Sequence, residues 1–315
     1  MYLITKKLGN EQYYYVVKNI RLDRNTWKKI TIYAGKNLAF AKLKSINKDI
    51  FEEIKRREIE LRSEYIISQY KQDRVLNNDE LKKLESMRVQ YDATLAEISD
   101  DTKKLLFDRF MARFIYESNA IEGSKLPLKE VVKIVHHKKP SVYSERRDVQ
   151  EVKNSIVAFN FINSNAFKFS HSNIIKLQKI ILANTADVNF GYRKVPIIVG
   201  NSLTSKPESI RREMIQLLEW YNTSKHTEHP VRAAFEFHIR FEHIHPFEDG
   251  NGRVGRLLMN KILMGNTYPP LIVKNSNRKA YFNRFEKSTA GNPVPLKRFL
   301  LNCFKATYRE FFANL

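Results

Sequence analysis

Apolar residues recur along most of this chain at the three- and four-residue spacing of helices, and only two stretches read as β. The first is residues 1–46. Tyr13, Tyr14, Tyr15, Val16 and Val17 make one aromatic and β-branched run, Trp27 to Tyr33 makes a second, and Asp23-Arg24-Asn25-Thr26 reads as the turn between them, so a small hairpin or meander is expected. From about Asn47 to Tyr70, and again from Asp79 to Ile98, charge-rich segments with apolar residues at helical spacing predict two helices, an antiparallel pair. Beyond Asp101 the pattern is mostly helical, with helices at about 101–120 (closed by Gly123), 145–162, 172–184 and 208–221. One hairpin interrupts them: Phe190-Gly191-Tyr192-Arg193 leads into Val195–Val199, and Gly200-Asn201 supplies a turn. Pro230 then opens a helix over 230–244 as a first-turn proline should. That helix has apolar residues on nearly every side, which predicts a central, buried position. Another helical pattern runs from Arg253 to Met264.

Composition narrows the class. With 43% hydrophobic and 28% charged residues over 315 positions, the chain reads as globular rather than disordered. Its single cysteine, Cys303, excludes an intramolecular disulfide and a cysteine-based zinc cluster. The opening MYLITKKLGN has no apolar core of a signal peptide, and no run of about 18 apolar residues occurs, so a cytoplasmic, non-membrane protein is expected. The net charge of +21 is uneven: residues 1–50 hold 11 basic and 3 acidic side chains, and residues 251–315 hold 12 and 2. The lysines are scattered rather than packed into one run, which favours a solvated basic surface over a nucleic-acid face. The β module over 1–46 is expected to be an accessory domain, 47–100 a helical extension, and 101–315 the catalytic part.

Chemistry concentrates in His245-Pro246-Phe247-Glu248-Asp249-Gly250-Asn251-Gly252-Arg253-Val254-Gly255-Arg256. Glycine is scarce, ten residues in all, yet three fall within six positions here. A glycine-rich turn feeding a helix N-terminus presents successive backbone N–H groups and a positive dipole end, an anion site for which phosphate is the natural guest. Gly250, Gly252 and Gly255 also fit the dinucleotide-binding fingerprint, but a helix rather than a strand precedes them and residues 257–285 contain no acid, so that reading fails on context. Arg253, Arg256 and Asn260 share one face of the following helix, and two guanidiniums there favour a polyphosphate. Asp249 can offer a hard oxygen to Mg²⁺, and His245 can take a proton from an attacking hydroxyl.

The segment HPFEDGNGRVGR resembles the signature of Fic-domain proteins at every specified position, and Ala234, His238, Phe241 and Ile244 match the family's lead-in. The resemblance covers roughly Asp101 to Cys303, including the flap-like hairpin from Gly191 to Pro207 and Tyr268-Pro269-Pro270. It implies a mainly α fold, a Fic-type helical core with a β-hairpin flap, preceded here by the small β module and the helical region. It implies a protein adenylyltransferase that moves AMP from ATP, with Mg²⁺, to a Ser, Thr or Tyr hydroxyl of a target protein. His245 would be the general base and Asp249 the metal ligand. Gly250, Asn251, Gly252 and Arg253 would cradle the α- and β-phosphates, Arg256 would meet the γ-phosphate, and Tyr281 would lie near the nucleotide. Ser118-Asn119-Ala120-Ile121-Glu122-Gly123 resembles the family's inhibitory motif. Read alone it is a helix end with a glycine cap, but the resemblance pairs Glu122 with Arg256 and implies the self-inhibited class, with the inhibitory helix ahead of the core. Ser124 and Thr289 stand where many relatives have Asn, which leaves base selectivity open.

Alternatives remain at this stage. The same site could remove AMP, or transfer another nucleotide. His229, His238, His243 and His245 could ligate a metal in a hydrolase, which would need an extended chain where the pattern is helical. A non-catalytic nucleic-acid-binding regulator would use the basic ends. A target is expected to dock as an extended segment on the hairpin. Self-association as a homodimer stays open, nucleic acid is not favoured as a partner, and a membrane is not expected.

Overall fold

A computed structural model describes residues 1–38, 48–137, 139, 145–200 and 202–313. The end of the expected β module, the helix start at Asn47 and the turn residue Asn201 lie outside the described residues. The chain divides into one unit of residues 1–72 and 76–89 and a second of residues 73–75 and 90–315. Among the described residues no helix is long and apolar enough to cross a membrane.

The first unit is a three-stranded antiparallel meander, β1 (Tyr2–Leu8), β2 (Glu11–Arg21) and β3 (Trp27–Lys36), with helix α1 (Lys48–Ser68). Strand β1 was not marked by an apolar run, because it is an edge strand whose residues are almost all exposed. The predicted turn forms as read: the Asp23 carboxylate accepts the N–H groups of Asn25 and Thr26 at 2.6 and 2.7 Å, the local bonding that suits aspartate to turns. One sheet face buries Val16, Ile20 and Ile30 against Ile54 of α1. Helix α2 (Asn78–Glu97) is capped by the Asn77 side chain, which accepts from Glu80 N–H at 2.9 Å, and its part from Gln90 onward belongs to the second unit.

The second unit is helical: α3 (Asp100–Ile121), α4 (Leu128–Val135), α5 (Arg146–Asn163), α6 (His171–Leu182), α7 (Ile210–Ser224), α8 (Pro230–Ile244), α9 (Asn251–Met264), α10 (Arg278–Thr289) and α11 (Val294–Phe311). Helix α8 holds the predicted central position, with ten of its residues buried. Helix α9 packs against it and also touches α3, α5 and α6. The expected strand Val195–Val199 shrinks to β4 (Ile198–Val199), paired with β5 (Ser202–Leu203). Side chains replace the ladder beyond it, since Thr204 Oγ1 donates to Ile197 O and Arg193 Nη1 to Val195 O, each at 2.6 Å.

Candidate active site

The turn between α8 and α9 builds the site. Helix α8 ends where His245 enters the left-handed region (φ 49°, ψ 62°), its N–H still bonded to Phe241 O at 2.9 Å. Phe247 is fully buried and anchors the loop between the rings of Phe241 and Tyr192. Asn251 folds its side chain back over the turn, accepting from Phe247 N–H at 2.9 Å and donating to Phe247 O at 2.8 Å. Gly250, at φ 86°, takes the conformation an L side chain resists, and α9 starts at the next residue. His245 is thereby set beside a helix N-terminus.

Two arginines of α9 separate by one turn. Arg256 is almost fully buried: its Nε donates to Ser118 Oγ and its Nη2 to Ser118 O, both at 3.0 Å, and Nη2 also meets Glu122 Oε1 at 2.7 Å. Burial alone would lower the guanidinium pKa, but Glu122, with smaller contributions from Tyr281 and Glu242, outweighs it and the value is raised. Glu122, capping α3, stands so close to Gly252 that a Cβ there would overlap its carboxylate. The carboxylate therefore lies against the first turn of α9, the positive end of that helix. Arg253 is buried with Nε and Nη1 lacking hydrogen-bond partners, and Glu151 and Asp249 each lie 3.6 Å from its guanidinium. Asn260 is not brought to this spot: it is buried and clamps Leu271, accepting its N–H at 2.8 Å and donating to its carbonyl at 2.9 Å, because the helix turns that position toward the core.

Beneath His245 lies a buried polar layer. Glu242 Oε2 is 3.6 Å from His245 Nδ1, and neither Nδ1 nor Glu242 Oε1 has a hydrogen-bond partner. Burial pushes the Glu242 carboxyl up, yet its interaction with His245 and the nearby His238 and Arg256 outweigh this and hold it below the usual range. His238 meets the Tyr281 hydroxyl at 2.5 Å, and burial pushes its pKa down to about 4. A cavity of about 520 Å³ opens above this layer, between the hairpin, Glu122, His245, Gly252, Arg256 and the α10 side chains Arg278, Tyr281, Phe285 and Thr289.

The profile of the Fic/DOC family matches residues 168–263, a span that includes α6, the hairpin and the whole turn just described. Residues 168–263 are thus similar to a Fic domain. A curated protein adenylyltransferase Fic from Nematostella vectensis is 32% identical over 207 residues, 64% of this chain and 48% of its own length. The Drosophila melanogaster protein of the same name is 29% identical over 78% of this chain and 51% of its own. The chain thus spans about half the length of the curated relatives it matches. A solved Fic-domain-containing signaling protein from Bacteroides thetaiotaomicron superposes with a TM-score of 0.65 at 26% identity, over 72% of this chain and 95% of that one. Fic-1 from C. elegans gives the same score at 25% identity, over 74% and 71%.

Of the residues singled out in the sequence, the fold brings His245, Gly252, Arg256, Tyr281 and Glu122 to one cavity, with Ser118 behind Arg256. Asp249, Gly250, Asn251 and Arg253 lie in the adjoining turn, outside the cavity lining. The histidines do not gather for a metal. His229 uses Nδ1 to accept from Val231 N–H and faces Tyr268 through Nε2, and His238 is spent on Tyr281. Two site residues were missed. Glu242 could have been noticed as a carboxylate on the helix expected to be buried. Arg193 had no such signal: buried, it donates to His245 O at 2.8 Å, Val195 O at 2.6 Å and Ser205 O at 2.6 Å, stapling the hairpin to the turn between α8 and α9.

Proposed function

We propose that this chain is a protein adenylyltransferase that moves AMP from ATP to a Ser, Thr or Tyr hydroxyl of a target protein and is held back by Glu122. The observation that carries this reading is the Arg256–Glu122 pair, 2.7 Å apart at the N-terminus of α9 and beside the same cavity as His245. The name shared by the curated relatives, protein adenylyltransferase Fic, supports the class of reaction. In the transfer step the target oxygen bonds to the α-phosphorus, its proton passes to His245 Nε2, and the bond to the bridging oxygen breaks to release pyrophosphate. Glu242, facing Nδ1, keeps a proton on that nitrogen and leaves Nε2 as the acceptor. The α9 N-terminus and Arg253 would bind the α- and β-phosphates, the Asn251 side chain shaping the turn that presents them. Arg253 suits this, because its buried Nε and Nη1 make no hydrogen bond and its carboxylate neighbours Glu151 and Asp249 stand no closer than 3.6 Å.

Asp249 fits a Mg²⁺ site shared with the substrate: its side chain is 44% exposed, and one carboxylate beside bound phosphates is the usual protein share for this ion. The ion would neutralise phosphate charge and help orient the α-phosphate. Glu122 competes with the γ-phosphate for Arg256, so basal transfer is low. A target segment would pair with the flap, where Ile198 and Leu203 are 64% and 77% exposed. Purified wild type, Glu122→Gly, and Glu122→Gly with His245→Ala are incubated with Mg²⁺ and ATP and read by intact mass. AMP adducts are expected in the Glu122→Gly chain alone. Equal labelling of wild type would sink the brake, labelling without His245 would sink the base, and loss of AMP from a modified target would assign the reverse reaction.

A further inference from the structure

The N-terminal sheet gathers side chains that the sequence scatters. Side chains alternate across a strand, so the face opposite Val16, Ile20 and Ile30 receives a different set. Pairing of Tyr15 with Ile4 and Tyr33, and of Arg21 with Trp27, puts Tyr15, Tyr33, Trp27, Lys6, Arg21 and Lys29 on that face. Tyr15 and Tyr33 touch at a ring separation of 5.6 Å, and Lys6 Nζ lies 5.5 Å from the Tyr15 ring centre. Arg21 sits 5.5 Å from the Trp27 ring and is steadied there by donating to the carbonyls of Asp23 and Arg24. Trp27 and Tyr33 remain 58% and 51% exposed, and between them Val17 of the same face is fully buried.

The acids nearby do little to offset the basic groups. Glu11 is taken up by Lys36 and the Tyr13 hydroxyl at one corner, and Asp23 by Tyr65 and the turn N–H groups. We propose that this face binds single-stranded nucleic acid, with bases stacked on Trp27, Tyr33 and Tyr15 and phosphates at Lys6, Arg21 and Lys29. Six residues of β3 separate Trp27 from Tyr33, roughly 20 Å, which suits a few splayed bases. A basic face alone would serve any polyanion. Exposed aromatic planes interleaved with cations select a ligand that presents bare rings and phosphates in regular alternation, which disfavours a duplex, whose bases are already stacked, and an acidic polypeptide, whose backbone carries no such row.

The test is fluorescence anisotropy of the full chain with a labelled 12-nucleotide RNA of mixed sequence, its DNA counterpart, the same sequence as a duplex, and poly-glutamate as competitor. Binding tighter than about 100 μM in 50 mM salt is expected for the single strands, weakening as salt rises. Trp27→Ala and Tyr33→Ala should each weaken it by roughly tenfold. Lys6→Glu with Lys29→Glu should weaken it and flatten the salt dependence, while Lys179→Glu, on exposed α6 surface, should have little effect. Quenching of Trp27 in a Trp220→Phe chain reports stacking without altering the sheet. No binding by the wild type, equal affinity for the duplex, displacement by poly-glutamate at matched charge, or indifference to both aromatic substitutions in correctly folded chains would each overturn the proposal.

Discussion

At the scale of single residues, the site depends on groups whose charge state is set by burial and neighbours. The Glu242 carboxyl is held below its usual range in the core by His245 and the nearby Arg256, and its place against His245 Nδ1 would make it a positioning residue for the proposed base. In the Glu122→Gly chain, Glu242→Gln should lower kcat by about tenfold or more and leave the nucleotide KM nearly unchanged. Full kcat in that variant would remove the role. His238 gives a stability prediction with a definite sign. Its folded pKa of about 4 lies below the usual 6.5, so as pH falls below 6.5 the unfolded chain takes up the proton first. Stability from this group is complete above pH 6.5 and drains away down to about pH 4, by about 3 kcal/mol. Denaturant unfolding between pH 7 and pH 4.5 should show that slope, and His238→Gln should flatten it. The glycines of the turn, its histidine and both arginines were legible in the sequence because they lie within twelve consecutive positions, whereas the roles of Glu242 and His238 needed the packing of α9 and α10 around α8.

At the scale of elements, helix positions followed the apolar period closely where an amphipathic face meets the core, as in α3, α5 and α8. Helix α10 was not legible, since it is rich in Lys, Arg and Asn and buries only Tyr281 and Ser288. The hairpin shows the opposite limit. Its two-residue strands are too short to hold themselves, and Arg193 supplies bonds that a longer ladder would. A lysine cannot reproduce that fork. Arg193→Lys should therefore speed hydrogen exchange over residues 195–205 and lower modification of a target protein while ATP affinity holds. Unchanged exchange there would show that the staple is dispensable.

At the scale of the whole molecule, every residue placed in the active site belongs to the second unit, while the first has its own small core. Ile54→Ala, which opens a cavity in that core, should cost about 2–5 kcal/mol within the first unit and shift its thermal transition. ATP binding measured calorimetrically at a temperature below that transition should be unchanged, and a parallel loss would show that the two units unfold as one. The chain's sequence determined on its own the mainly helical class, the central helix 230–244 and the glycine-rich turn into the next helix, because turn conformation and helix starts depend on residues a few positions apart. The contact of Glu122 with Arg256 across 134 positions was open to the sequence only through a resemblance, and tertiary structure alone decided that Arg193 reaches His245 across 52 and that one sheet face collects the aromatic and basic side chains. Contacts between distant segments follow from how helices and strands pack, and packing leaves no local period for a sequence to display.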